Sequence, residues 1–110
     1  MKTINIANDF SDTPLGRSEE DGDFNGSRFR DEFLRPALDK ENKVVVEIDG
    51  VEGYGSSFLE EAFGGLVRKG YFTVEVLRAR LDVKYLDQDF KMYHDLIWKY
   101  IKEAKKEGKR

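Results

Sequence analysis

Two stretches of this chain carry residue types that could do chemistry. The first is Gly53-Tyr54-Gly55-Ser56-Ser57-Phe58, where a pair of hydroxyls follows a glycine-punctuated turn and precedes an apolar stripe at helical spacing. Ser57 and Glu60 fit the S-x-x-E capping box, so Ser57 is expected to be the helix N-cap. Ser56 is then left without a structural job, before the positive end of a helix dipole, where a phosphate is stabilised. Ser56 is thus a candidate phosphoacceptor. The plainer reading is a turn residue hydrogen-bonding its own backbone. A phosphate there would add roughly 1.5 to 2 negative charges, attracted by the helix and repelled by Glu52, Glu60 and Glu61. Gly53, Tyr54, Gly55, Ser56, Ser57, Phe58 and Glu61 make the candidate partner-binding set. Tyr54 and Phe58 serve in it either as exposed anchors or, for at least one of them, as core.

The second stretch is Asp21-x-Asp23-x-Asn25-Gly26, with Glu32 six residues after the glycine. Oxygen ligands at alternate positions, a glycine for the turn and a closing acid match a calcium loop as written. Its context differs: Pro14 and Gly16 preclude an incoming helix, Arg28 replaces an apolar residue, and no second loop exists. The competing reading is a loop entering a helix capped by Asn25 or Ser27. Arg17 could reach an anion or pin the loop to a carboxylate. His94 reads as an edge-of-core or surface residue, because no spacing supplies it with a carboxylate and a pocket, and Trp98 reads as core or rim rather than a ligand stacker. No nucleophile elbow, P-loop or dinucleotide fingerprint is present.

The elements that must position these residues follow from pattern. Thr3 to Ala7 alternates as a first strand, and residues 8–26 form a long loop. From Ser27, Phe29, Phe33, Leu34, Ala37 and Leu38 share a helical face, with Pro36 expected to kink or shorten its last turn. Val44 to Ile48 is a β-branched strand ending at Asp49-Gly50. Phe58, Leu59, Ala62, Phe63, Leu66 and Val67 form the next helical stripe, and Gly70 suits its C′ position. Thr73 caps a short helix, with a strand over Phe72 to Leu77 as the alternative reading, Asp82 to Leu86 alternates as a strand, and Asp87 or Asp89 caps a final helix ended by Gly108. Residues 107–110 read as a frayed tail. The basic cluster Lys102, Lys105, Lys106, Lys109 and Arg110 reads as its solvated end. Strands alternating with helices predict an α/β fold, an open and mostly parallel sheet of three to four strands packed with about four helices. Ligands or partners are then met where loops leave the carboxyl ends of strands.

The 110 residues suit one domain, able to bury roughly two thirds of its unfolded surface. Cysteine is absent and histidine single, which excludes disulfides and thiolate zinc sites and leaves no cofactor expected. A net charge of −3 with interspersed signs argues against a nucleic-acid surface. No apolar run is long enough for a membrane span or a signal peptide, so a soluble, cytoplasmic protein is expected.

The segment VVVEIDGVEGYGSSFLEEAFGGLVRKG resembles the centre of STAS domains, the fold of bacterial anti-sigma factor antagonists and sulfate-transporter tails. Gly50 and Val51 fall on that family's Gly-Val, Glu47 on the strand acid, Ser56 and Ser57 on the serine pair and Leu59 on the leucine. Gly55 stands where the family has aspartate, and Phe58 where it has glycine. The wider pattern, with Gly16-Arg17, Asp21-Gly22 and FRDEFLRPAL, is similar to a bacterial and archaeal STAS-like branch. The resemblance implies a non-catalytic regulatory module that engages a histidine-kinase-type ATPase or anti-sigma factor-like kinase, with Ser56 phosphorylated. Two other classes stay open: a ligand- or calcium-binding domain using Asp21 to Glu32, and a small enzyme with residues 8–25 as lid.

Overall fold

The computed structural model describes residues 1–106; Gly108, Lys109 and Arg110 lie outside the described residues. Three strands, β1 (Lys2–Asn5), β2 (Val44–Glu47) and β3 (Leu81–Lys84), form one parallel sheet in the order β1-β2-β3. Lys2 pairs with Val44 and Val44 with Leu81, so the strands begin level. Consecutive parallel strands in consecutive order, joined by right-handed crossovers, place their helices on one face. Burial agrees. Ile4, Val44, Val46, Leu81 and Val83 are buried on that face, whereas on the other Thr3, Asn5, Glu47, Asp82 and Lys84 are exposed or half-buried around a buried Val45 on the central strand. The α/β architecture with an open parallel sheet is the one the strand and helix patterns predict.

The first strand stops earlier than its alternation suggests. Asn5 turns its side chain to the Asn8 N–H, the Asp9 carboxylate accepts the Asn5 N–H, and Ile6–Phe10 winds into a wide turn closed from Ser11 N–H to the Ile6 carbonyl. Local side-chain hydrogen bonds here outcompete the ladder.

Helix α1 runs through Gly26–Phe29, Arg30–Leu34 and Arg35–Lys40. Its middle segment is a π turn, with the Arg35 N–H reaching back five residues to the Arg30 carbonyl. Pro36 follows directly. A proline ring clashes with the carbonyl four residues earlier, and a widened turn before it relieves that crowding, so the helix continues to Lys40 instead of ending at the proline. Helix α2 repeats the device: Ser56–Leu59, a π turn over Glu60–Gly64 and Gly65–Arg68. Among the described residues its apolar stripe is buried as the spacing predicts, except for half-buried Val67. Gly70 (φ +78°) closes α2: its N–H donates to the Val67 carbonyl and the Tyr71 N–H to that of Leu66.

Helix α3 (Val74–Arg80) is capped by Thr73 Oγ1 accepting the Val76 N–H at 3.1 Å. β3 ends at Lys84 rather than Leu86. The Asp49 carboxylate draws the Leu86 and Asp87 N–H groups out of the ladder at 2.7 and 3.1 Å. Asp87 then caps the turn Gln88–Phe90 that leads into α4 (Lys91–Glu103). Helix α4 lies against α2 and buries Ile97 and Ile101. Among the described residues, no helix is long and apolar enough to cross a membrane.

Candidate functional site

The turn leaving β2 is held from three sides. Asp49 binds the backbone beyond β3, the Tyr54 hydroxyl donates to the Ile48 carbonyl at 2.8 Å, and the Glu52 N–H donates to the Asp12 carbonyl of the long loop. The Tyr54 ring stacks on Phe58 at 5.9 Å and meets Tyr93 edge-on at 5.2 Å. Both Tyr54 and Phe58 are buried, at 8% and 0% exposure. They are therefore core residues and not exposed anchors, because the turn folds its aromatic rings inward onto α4. Burial raises the Tyr54 phenol far above its ordinary pKa, with the Asp49 charge adding to it.

Helix α2 starts two residues earlier than the capping box implies. Gly55 is the N-cap residue, extended at φ −78° and ψ 152°, and Ser56 already lies in the first turn. Ser57 is therefore not the cap. No side chain caps this helix, and Glu60, the acid expected to reach back, is turned away by two arginines. Ser56 is exposed, and its hydroxyl has no hydrogen-bond partner among the described residues. The position before it is open: a side chain on Gly55 would meet nothing within 4 Å. Of the candidate partner-binding set, Gly55 and Ser56 are exposed and Gly53 and Ser57 half-buried.

Glu61 is engaged elsewhere, in a charge cluster that joins the long loop to α1 and α2. Arg30 has a side chain only 3% exposed and donates to the Glu61 carboxylate at 2.6 Å, the Glu61 carbonyl at 3.0 Å, Asp31 and Ser27 Oγ. Arg68 binds Glu60 and Glu61, and Arg17 binds the same two carboxylates from the loop. Arg17 is thus the pin to a carboxylate, one of its two expected roles. Burial pushes the Glu61 carboxyl up, but the Arg30 hydrogen bond and the charges of Arg68 and Arg30 outweigh it and hold it below the ordinary glutamate range. Burial likewise opposes Asp31, and Arg30 and Arg35 override it to lower its pKa. The acids expected to repel a phosphate at Ser56 are, at Glu60 and Glu61, already paired with arginines. Glu52 remains exposed.

The acidic loop is differently employed from the calcium pattern. The Asp21 carboxylate accepts the Arg17 N–H at 2.8 Å, Asn25 is buried as the α1 N-cap accepting the Arg28 N–H, and the Arg28 side chain binds both the Asp23 carbonyl and Glu32. Asp23, Asn25 and Glu32 line one open cavity together with Arg28, and Asp21 is not among its lining residues; among the described residues no group of three or more His, Asp or Glu side chains is placed to hold a metal. Nor does the loop hang free as a lid. Its Gly16 and Arg17 carbonyls accept the Gly26 and Ser27 N–H groups that open α1. A family model described as a STAS-like domain of unknown function matches residues 25–91, more than half of the chain. The chain belongs to this STAS-like family. Comparisons with curated proteins and with solved structures gave no match.

In this STAS-like domain, sequence reasoning missed two exposed apolar side chains on segments that adjoin the turn leaving β2. Leu86 is 93% exposed on the segment tied to Asp49, and Met92, 59% exposed, precedes the Tyr93 that packs on Tyr54. The alternation over Asp82 to Leu86 concealed the first, since it assigned Leu86 to a strand. His94, on the same helix, sits half-buried with Nδ1 2.9 Å from Asp95 Oδ1 and its ring near Tyr85.

Proposed function

We propose that this STAS-like domain is a non-catalytic regulatory protein-interaction module whose working face is the turn Gly53 to Ser57 with Leu86 and Met92 on the adjoining segments. The observation that carries the reading is Ser56 itself: an exposed hydroxyl without a partner, in the first turn of an uncapped helix, on a turn that is otherwise tied down. A rigid platform presenting one free hydroxyl and two exposed apolar side chains suits recognition by another protein. Phosphorylation of Ser56 would place its charge at the helix N-terminus, where unsatisfied N–H groups and the dipole stabilise it. The partner would then meet a dianion where it had met a hydroxyl, and release would follow. The resemblance to anti-sigma factor antagonists points to a kinase-like ATPase as that partner.

The test is capture from the native host with the wild type, Ser56→Ala and Ser56→Asp, with peptide mass spectrometry at Ser56. An ATPase retained by the first two and lost from the third, or phosphate on Ser56, supports the switch. Equal binding by all three with Ser56 never modified removes it. Gly55→Asp, which restores the acid of the wider family in open space, is expected to raise phosphate incorporation by such a kinase.

A further inference from the structure

We propose that β1 is a self-association edge, pairing antiparallel with β1 of a second copy so that two three-stranded sheets become one. The order β1-β2-β3 leaves two edges, and they are not alike. On β3 the Leu81 N–H is already bonded to the Leu77 carbonyl, and Val83, whose backbone points outward, is only 5% exposed. On β1 the Lys2 N–H donates to the Lys43 carbonyl. In a parallel ladder this directs Lys2 and Ile4 toward β2 and turns the N–H and C=O of Thr3 away. Thr3 is exposed. The next outward donor, the Asn5 N–H, is occupied by the Asp9 carboxylate at 2.8 Å. The open edge is therefore short and centred on Thr3.

Beside it lies a groove of about 390 Å³ between β1 and α1, lined by Ile4, Phe33, Pro36 and Ala37, with Lys2 and Glu32 also at its wall. A crossover helix runs opposite to the strand it follows, so Glu32 lies toward the Ile4 end of β1 and Lys40 toward the Lys2 end. A two-fold axis through Thr3 would let the two Thr3 residues exchange both hydrogen bonds and would set each Lys2 opposite Ile4 of the other copy. Each Lys2 ammonium then arrives at the Glu32 end of its partner's groove. Lys2 has no ion pair among the described residues of its own copy. Glu32 holds only Arg28, at 3.2 Å, with both side chains substantially exposed, and its carboxylate can accept a second cation. The edge is thus complementary to itself in backbone and in charge, which singles out a second copy as its occupant.

The experiment is sedimentation velocity over about two decades of concentration up to roughly 0.5 mM, with amide exchange measured on the same samples. The weight-average mass is expected to rise toward twice that of the chain, and the Thr3 amide to exchange more slowly with concentration while that of Asn5 does not change. Thr3→Pro removes the outward donor without touching the ladder to β2 and is expected to abolish association. Lys2→Glu sets acid against acid twice across the axis and should weaken the dimer roughly tenfold, and Lys2→Glu combined with Glu32→Lys should restore it. A monomer at every concentration overturns the proposal. So does association that leaves Thr3 unprotected and ignores the charge swap, or protection of Thr3 that requires a different protein.

Discussion

Replacing Arg30 with alanine is expected to cost about 3 kcal/mol of folding stability. Of the Arg30 contacts, those to Asp31 reach a side chain that is 40% exposed, and they weigh little. The contacts that count go to Glu61, whose side chain is 13% exposed and receives the guanidinium on both carboxylate and carbonyl. Removing one partner of a buried ion pair costs roughly 3 to 5 kcal/mol, because the other charge stays behind unpaired. The lower end applies here. Glu61 retains Arg68 at 3.0 Å and Arg17 at 3.4 Å. The contrast within the cluster makes the reasoning testable: Arg17 is 48% exposed, so Arg17→Ala should cost less than about 1 kcal/mol. Arg30→Lys should also destabilise, since one ammonium cannot serve acceptors arranged for a planar fork. Urea denaturation of the three variants at neutral pH, with a common slope, measures these differences. A loss of about 1 kcal/mol or less for Arg30→Ala, or equal losses for Arg30→Ala and Arg17→Ala, would refute the assignment of Arg30 as the centre of the cluster.

The depressed pKa of Glu61 and Asp31 gives a pH dependence. Their charged forms are favoured in the folded state, so the stability they contribute is complete above the ordinary carboxylate pKa of about 4. It is lost as pH falls through their lower folded values, and urea midpoints for Glu61→Gln should show a shallower acid limb than the wild type. Tyr54→Phe leaves the Ile48 carbonyl without its donor and should cost about 1 to 2 kcal/mol in a thermal melt, with the rings of Phe58 and Tyr93 still packed. Gly26→Ala would put a Cβ 2.7 Å from the Phe58 carbonyl oxygen and 3.1 Å from the Ala62 nitrogen. Both are backbone atoms that cannot swing aside, so a loss of about 1 to 3 kcal/mol is expected. Gly55→Ala, with open space at that position, should change stability by less than about 0.5 kcal/mol.

What the sequence made legible were features fixed by near neighbours. The β-branched run Val44 to Ile48, the Thr73 cap, the Gly70 stop and the Phe58 to Leu66 stripe depend on residues within a few positions of one another. The misreadings have distant causes. Glu60 abandons the capping box because Arg17, 43 positions away, claims its carboxylate together with Arg68. Leu86 leaves its strand because Asp49, 37 positions back, captures its amide. Tyr54 is buried because Phe90 and Tyr93, at the start of α4, close over the turn, and Phe58 because Phe10 and Phe29 pack on its ring. The serine turn was placed correctly at the carboxyl end of β2. The apolar side chains on the adjoining segments were not found, since an isolated exposed leucine has no periodicity to betray it. The π turns left no mark either, because each holds one residue more than a regular turn and a hydrophobic stripe tolerates that shift by eye.

That extra residue governs how the chain can change its length. Each residue of an α-helix advances the winding by about 100°. The wide turn spreads one extra residue over nearly the same rotation, so deleting one residue from Arg30–Leu34 would restore regular winding there and leave the residues beyond close to their present faces. Ala37 and Leu38 would still face the core, whereas a deletion in the regular turn Arg35–Lys40 itself would swing Leu38 out by about 100°. The same holds at Glu60–Gly64 for Leu66. Length variation during evolution is therefore expected in the surface loop before α1 and, within these two helices, as single residues at the two wide turns and scarcely elsewhere.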